Sequence, residues 1–150
     1  MDSENRKKHN IPMLSLLGLA LLGVPHKVLE VFEVLEMGST LNFIVLLVAP
    51  ILWVILVRKK AKDPLFPLLT IGGIYGLLSG VIAVFEWINF EAPLDLGRSN
   101  WSFDDLLTAI EYYLTPGARF IGQILLGIFI GFIAGLAARI INNSQLKKNR

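Results

Sequence analysis

A chain of 150 residues that is 54% hydrophobic, with a mean hydropathy of +0.62, is too apolar for a soluble domain of its size. Only 17% of its residues are charged and its formal net charge is +2, so no broad basic field offers itself to nucleic acid. It has no cysteine, which excludes a disulfide frame and thiol chemistry. The composition describes an all-α integral membrane protein. A span needs roughly 20 mainly apolar residues to cross about 30 Å of hydrocarbon, and four segments qualify.

The first segment covers about 11–35. An apolar run from Ile11 to Val24 is interrupted by Pro25, His26 and Lys27, after which a helical pattern resumes to about Met37. Val24, Val28, Val31, Phe32 and Leu35 fall on one side of that pattern, with His26, Lys27, Glu30 and Glu33 on the other. The expectation is one kinked or two-part helix with an amphipathic outer portion. A cleaved signal peptide would need a small-residue processing site, and Pro25-His26-Lys27 is not one.

The second span, about 41–57, is rich in Leu, Ile and Val, contains Pro50 and stops at Arg58, Lys59 and Lys60. Its proline predicts a bend. The third, about 65–86, follows Asp63-Pro64, a good helix start, and ends at Glu86-Trp87. The fourth, about 119–140, is expected to begin after Pro116-Gly117 and to end near Asn142-Asn143-Ser144.

Between the third and fourth spans lies the one sizeable connection, about 89–117. Its first part, with Pro93, Gly97 and Asn100, reads as loop. Its second part carries Ser102 as a cap with Asp105 three residues on. Phe103, Leu106, Leu107, Ile110 and Leu114 then recur at helical spacing opposite Asp104, Asp105 and Glu111, which predicts a short amphipathic helix on the outer surface. Trp53, Trp87, Trp101, Tyr112 and Tyr113 are expected at the headgroup level.

Basic residues near span ends favour the cytoplasmic side. Arg6, Lys7, Lys8, Arg58, Lys59, Lys60, Lys62, Arg139, Lys147, Lys148 and Arg150, eleven of the fourteen, fall on one side of a four-span arrangement. The other side holds Lys27, Arg98 and Arg119 against nine carboxylates. The expected protein is a single four-helix membrane domain over 1–150, multi-pass in the cell membrane, with both termini cytoplasmic. Its basic face suits anionic lipid better than nucleic acid.

Three groups of residues stand out. Gly72, Gly76 and Gly80 in the third span and Gly127, Gly131 and Gly135 in the fourth form two GxxxGxxxG stripes, the spacing that lets backbones approach closely in lipid. Counted inward from Leu65, the first set lies about 10, 16 and 22 Å deep; counted from Arg139, Gly135, Gly131 and Gly127 lie about 6, 12 and 18 Å deep. The simplest expectation is an antiparallel seam within one chain, the alternative a contact between copies.

Glu86, Arg119, Lys27 and Glu30 fall near one level at the outer boundary. A Glu86–Arg119 pair is expected there, as an interfacial ion pair or as a gate. Ser79 and Gln123 are buried-polar candidates, read as interhelical hydrogen bonders. His26, Glu30 and Glu33 share a helical face, but one helix supplies too few ligands for a metal. That face is expected to be solvated, with Lys27 paired to Glu30.

No phosphate-binding loop, dinucleotide fingerprint, zinc-protease motif or nucleophile elbow is present, and no catalytic residue, cofactor or metal is expected. The first functional expectation is a non-enzymatic membrane protein that binds a protein partner, as an accessory, regulatory or immunity-type subunit. The alternative is an oligomeric small channel or transporter for ions or small solutes.

Overall fold

The computed structural model describes residues 11–35, 39–61, 63–90 and 103–148. Arg6, Lys7, Lys8, Lys62, the loop with Pro93, Gly97 and Asn100, Trp101 and the Ser102 cap lie outside the described residues. Five helices follow in order: α1 Met13–Leu21, α2 Val24–Val31, α3 Thr40–Lys60, α4 Leu65–Phe90 and α5 Phe103–Lys148. Four stretches are long and apolar enough to cross a membrane, namely Met13–Val31 taken across the α1–α2 break, Thr40–Lys60, Leu65–Asn89 and Leu107–Gln145. Among the described residues the fold is all-helical, with four helical stretches able to span a membrane.

The break between α1 and α2 has a chemical cause. Pro25 sits in the first turn of α2 and lacks the N–H that would continue the ladder back to Leu21. The chain tightens instead, Leu22 donating to the Leu19 carbonyl and Gly23 to Ala20, each at 3.1 Å. Gly23 turns here directly against Tyr75, where a Cβ would lie 2.7 Å from the ring. Helix α2 then stops with Glu33 in the left-handed region (φ 56°). Val34 donates to the Leu29 carbonyl and Glu33 to Glu30, both at 3.0 Å, the paired bonds of a Schellman ending.

Helix α3 is capped by Ser39, whose hydroxyl accepts from the Asn42 amide at 3.2 Å. Helix α4 starts behind Asp63, whose carboxylate accepts from the Leu65 amide at 3.1 Å and also holds Arg139 of α5 at 3.0 Å. Trp53 does not sit at the headgroup level. It is fully buried in the core with Leu16, Ala20, Val57, Leu68 and Ile71. Its indole N–H donates to the Leu19 carbonyl at 2.7 Å, and its ring meets Tyr75 edge-on at 5.7 Å. A buried indole needs such an acceptor, and the α1 terminus supplies one.

The principal pairing is α4 against α5, antiparallel. Helix α5 differs from expectation: Pro116 does not separate a surface helix from the fourth span, because one helix of 46 residues runs through it. At 1.5 Å per residue it is about 69 Å long, well over the thickness of the hydrocarbon. Its outer arm stays on α4, where Tyr112 and Trp87 pack with ring centroids 4.7 Å apart. Large apolar side chains such as Phe43, Ile51, Val81, Leu125 and Phe129 point away from the bundle, as they must where lipid is the solvent.

Candidate functional site

The six ladder glycines meet within the chain. Gly72 lies against the Gly127 carbonyl and the backbone of Gly131, and Gly76 against the backbones of Gln123 and Ile124. Gly127 returns the contact to Gly72 and Gly76. Gly80 faces Phe120, Gly131 faces Leu68, and Gly135 faces Leu65. At Gly72, Gly76, Gly127 and Gly131 backbone atoms leave no room for a methyl group, whereas at Gly80 and Gly135 its nearest neighbours would be the Phe120 and Leu65 side chains.

This register also explains why Glu86 and Arg119 do not pair. Arg119 precedes Phe120, which is level with Gly80, so it stands about five residues, or ~7.5 Å, short of Glu86 along the seam. Among the described residues, the ion pair made by Glu86 is with Lys27, at 3.9 Å.

The polar face of α2 is not solvated, although Glu33, assigned to it from the sequence, lies past the helix end and is exposed. His26 and Lys27 are 8% and 5% exposed, while Leu29 and Phe32 of the same helix are turned outward. In lipid the apolar side of an amphipathic helix faces out, so the polar side must find partners inside. Lys27 donates to one oxygen of Glu30 at 2.8 Å. The Asn42 side-chain amide donates to the other at 3.1 Å, and His26 Nε2 meets Asn42 Oδ1. Because the Asn42 nitrogen is spent on Glu30, its oxygen can only accept, and His26 Nε2 must carry the proton. His26 Nδ1 is buried and has no hydrogen-bond partner among the described residues.

Beside this network lies a cleft of about 570 Å³, open on one side. His26, Lys27 and Glu30 form one wall, the first turns of α3 from Ser39 to Leu46 a second, and Tyr75 of α4 with Gln123 and Leu126 of α5 the inner end. Tyr75 lies about 15 Å along α4 from Leu65, near mid-span, and Glu86 about 31 Å. The cleft therefore reaches from the Lys27–Glu86 end of the bundle to its middle. A smaller apolar cavity of about 140 Å³ adjoins it, sharing His26, Leu46 and Tyr75 and extending to Trp53 and Pro50. Pro50 has no N–H, so the Leu46 carbonyl beside both cavities lacks its usual helical donor.

Of the residues singled out from sequence, the structure gathers Lys27, Glu30, Glu86 and Gln123 at or beside the cleft. Ser79 is fully buried one turn from Tyr75. Asn42 and Tyr75 had drawn no attention. A lone Asn one turn inside an apolar span was the available signal, since it must hydrogen-bond to something there. Among the described residues, no group of three or more His, Asp and Glu side chains is arranged to hold a metal ion.

Comparison of the chain with known protein families, with characterised proteins and with solved structures finds no match.

Proposed function

We propose that this chain is a non-enzymatic, multi-pass protein of the cell membrane that binds a small solute or ion in the cleft between α2, α3 and α5, as a small channel or transporter. One observation carries the reading: Lys27, 5% exposed and inside a candidate span, contacts two carboxylates at the edge of a cleft that reaches mid-span. Ionisable groups of a membrane-spanning segment that face the bundle interior are costly, and in helical membrane proteins they mark solute and ion pathways. The oriented network of His26, Asn42, Glu30 and Lys27 gives a solute fixed polar contacts, while Leu46 and Leu126 give it an apolar wall.

The test is flux through proteoliposomes holding the purified chain. Ion or proton movement that Glu86→Gln abolishes supports the reading. Tight liposomes, together with one stoichiometric membrane partner recovered in mild detergent, would favour a second reading, an accessory, regulatory or immunity-type subunit. That second reading draws on the outer arm of α5, which leaves Leu107, Ile110 and Leu114 exposed.

In the proposed topology both termini are cytoplasmic and the cleft opens to the outside. The chain contains no cysteine, so single-cysteine variants report cleanly. An impermeant maleimide applied to intact cells labels Glu111→Cys and spares Ser144→Cys. The reverse pattern inverts the topology.

A further inference from the structure

Resting on the reading of the cleft as a binding site, we propose that its ligand is a single-chain amphiphile taken from the bilayer, with an uncharged, hydroxylated head such as a glycerol or a sugar. The chain follows from the way two spaces stack. Leu46 of α3 and Leu126 of α5 border the cleft, while Pro50 and Ile130, each one helical turn further from the Lys27–Glu86 end, border the smaller cavity. The cavity therefore continues the cleft along the bundle, with His26, Leu46 and Tyr75 at the junction. Leu22, Leu29, Val45, Pro50, Trp53 and Ile130 surround about 140 Å³, close to the apolar cavity of about 150 Å³ that accepts benzene, so about six carbons of one chain fit and a second chain does not. Leu29 and Val48, 37% and 50% exposed, turn the side of this cavity toward lipid and give the chain a way in between α2 and α3.

The head follows from which groups along the cleft are already served. Lys27 and Glu30 pair at 2.8 Å, and Asn42 fills the other Glu30 oxygen at 3.1 Å, so the lysine and the carboxylate that line the cleft neutralise each other. Glu86, 3.9 Å from Lys27, is not part of the lining. A charged head would have to break the Lys27–Glu30 pair. The unused bonding capacity is neutral and comes from the start of α3 and from α5. The Ser39 hydroxyl accepts from the Asn42 amide and keeps its own proton to donate, and among the described residues the side chains of Thr40 and Gln123 make no hydrogen bond. Hydroxyls and a carboxamide both donate and accept, which is what the hydroxyls of a polyol require. Phe43 and Leu126 cover the stretch of chain between head and inner cavity, the mix of an apolar wall and a few placed polar groups that small-molecule sites use.

The test uses Trp53, which lines the inner cavity, as its reporter. The chain has three tryptophans, so Trp87→Phe with Trp101→Phe leaves Trp53 alone in the full-length protein, held in phosphatidylcholine nanodiscs. The probe is monodecanoylglycerol with bromine on its last carbon, a short-range quencher of indole emission. Bromine-ended decanesulfonate, bromine-ended decyltrimethylammonium and a phosphatidylcholine brominated on its chain ends are the comparisons. Saturable quenching by the glyceride is expected, at a mole fraction in the bilayer at least tenfold below that of any comparison. Thr40→Val with Gln123→Leu is expected to raise the half-saturating mole fraction about tenfold, and because neither side chain is buried this variant keeps the fold. Ala49→Leu fills the inner cavity and is expected to abolish the quenching.

Equal quenching by the sulfonate or the trimethylammonium, or a glyceride titration that Thr40→Val with Gln123→Leu leaves unchanged, overturns the uncharged head. Equal quenching by the brominated phosphatidylcholine overturns the single chain. Quenching that rises without saturating, or that persists in Ala49→Leu, overturns the site itself. If liposomes conduct an ion while the glyceride fails to quench Trp53, this inference falls and the transport reading stands. If the glyceride binds and liposomes stay tight, the reverse holds.

Discussion

Replacing Gly76 by alanine tests the helix seam with the smallest perturbation available, one methyl group. The new Cβ would lie 2.6 Å from the Gln123 carbonyl oxygen, 2.8 Å from Ile124 Cα and 3.0 Å from the Ile124 carbonyl oxygen. All three are backbone atoms of α5 and cannot swing aside. Carbon contacts are comfortable from about 3.5 Å, so the helices must part locally by ~0.8 Å. A gap of that size forfeits a quarter to a half of each contact's dispersion energy. With on the order of 40 atom pairs at ~0.15 kcal/mol across the tightest turns, losing a third removes about 2 kcal/mol.

Alanine returns about 1 kcal/mol of helix propensity over glycine, leaving a net loss of about 1 kcal/mol for Gly76→Ala. Gly122, on the open side of α5, meets nothing within 4 Å, so Gly122→Ala keeps the whole ~1 kcal/mol gain. Gly73, neighbour to a ladder residue, has only ordinary contact with Ile128 at 3.8 Å and should behave like Gly122. The assay is equilibrium unfolding of the monomer in mixed micelles with rising dodecyl sulfate. A separation of about 2 kcal/mol between Gly76→Ala and Gly122→Ala is expected. Equal stability of the two, or an intact monomer whose dimer alone is lost, would refute an intramolecular seam.

Glu33→Gly should stabilise the protein by about 0.5–1 kcal/mol, because Glu33 holds a left-handed conformation (φ 56°) that glycine adopts without cost; a lower thermal midpoint would contradict this. Trp53→Phe keeps most of the ring but deletes the 2.7 Å hydrogen bond to the Leu19 carbonyl, and is expected to cost about 1–2 kcal/mol in the same unfolding assay. Lys27→Met strands Glu30 and should cost about 3 kcal/mol, most of which Lys27→Met with Glu30→Gln should restore; an additive double variant would show that the two do not act as a pair. Arg139→Ala removes the 3.0 Å ion pair with Asp63, whose side chains are 51% and 52% exposed, and should change stability by less than about 1 kcal/mol.

The four apolar stretches were legible because length and apolarity alone qualify a helix to cross a membrane, and neither needs tertiary information. The glycine spacing was likewise plain, although only the packed structure shows which backbone meets which glycine. Pro116 misled for a physical reason. In water, Pro-Gly ends helices because the freed carbonyl finds solvent and the chain gains freedom by turning. Against α4, with Tyr112 held on Trp87, continuing the helix keeps the apolar contact. Pro116 costs the helix one bond, to the Tyr112 carbonyl, while the Thr115 hydroxyl beside it donates to the Glu111 carbonyl at 2.7 Å.

The candidate site was half legible, and the missing half turns on which way a helix faces. The sequence of α2 separates His26, Lys27 and Glu30 from Val28, Leu29 and Phe32 without ambiguity. Periodicity is symmetric under inversion, however: it says that two faces differ and not which one is inside. The surrounding medium decides that, and along α2 the exposures of Lys27 at 5% and Phe32 at 66% give the answer for lipid. Once the polar face is inside, its partners are forced by chemistry. Lys27 must meet a carboxylate, that carboxylate has a second oxygen to satisfy, and Asn42, the one polar side chain between the Ser39-Thr40 start of α3 and Arg58, is there to satisfy it. The same chain of requirements runs on to His26 Nε2, which donates to the Asn42 oxygen because the Asn42 nitrogen is already spent on Glu30.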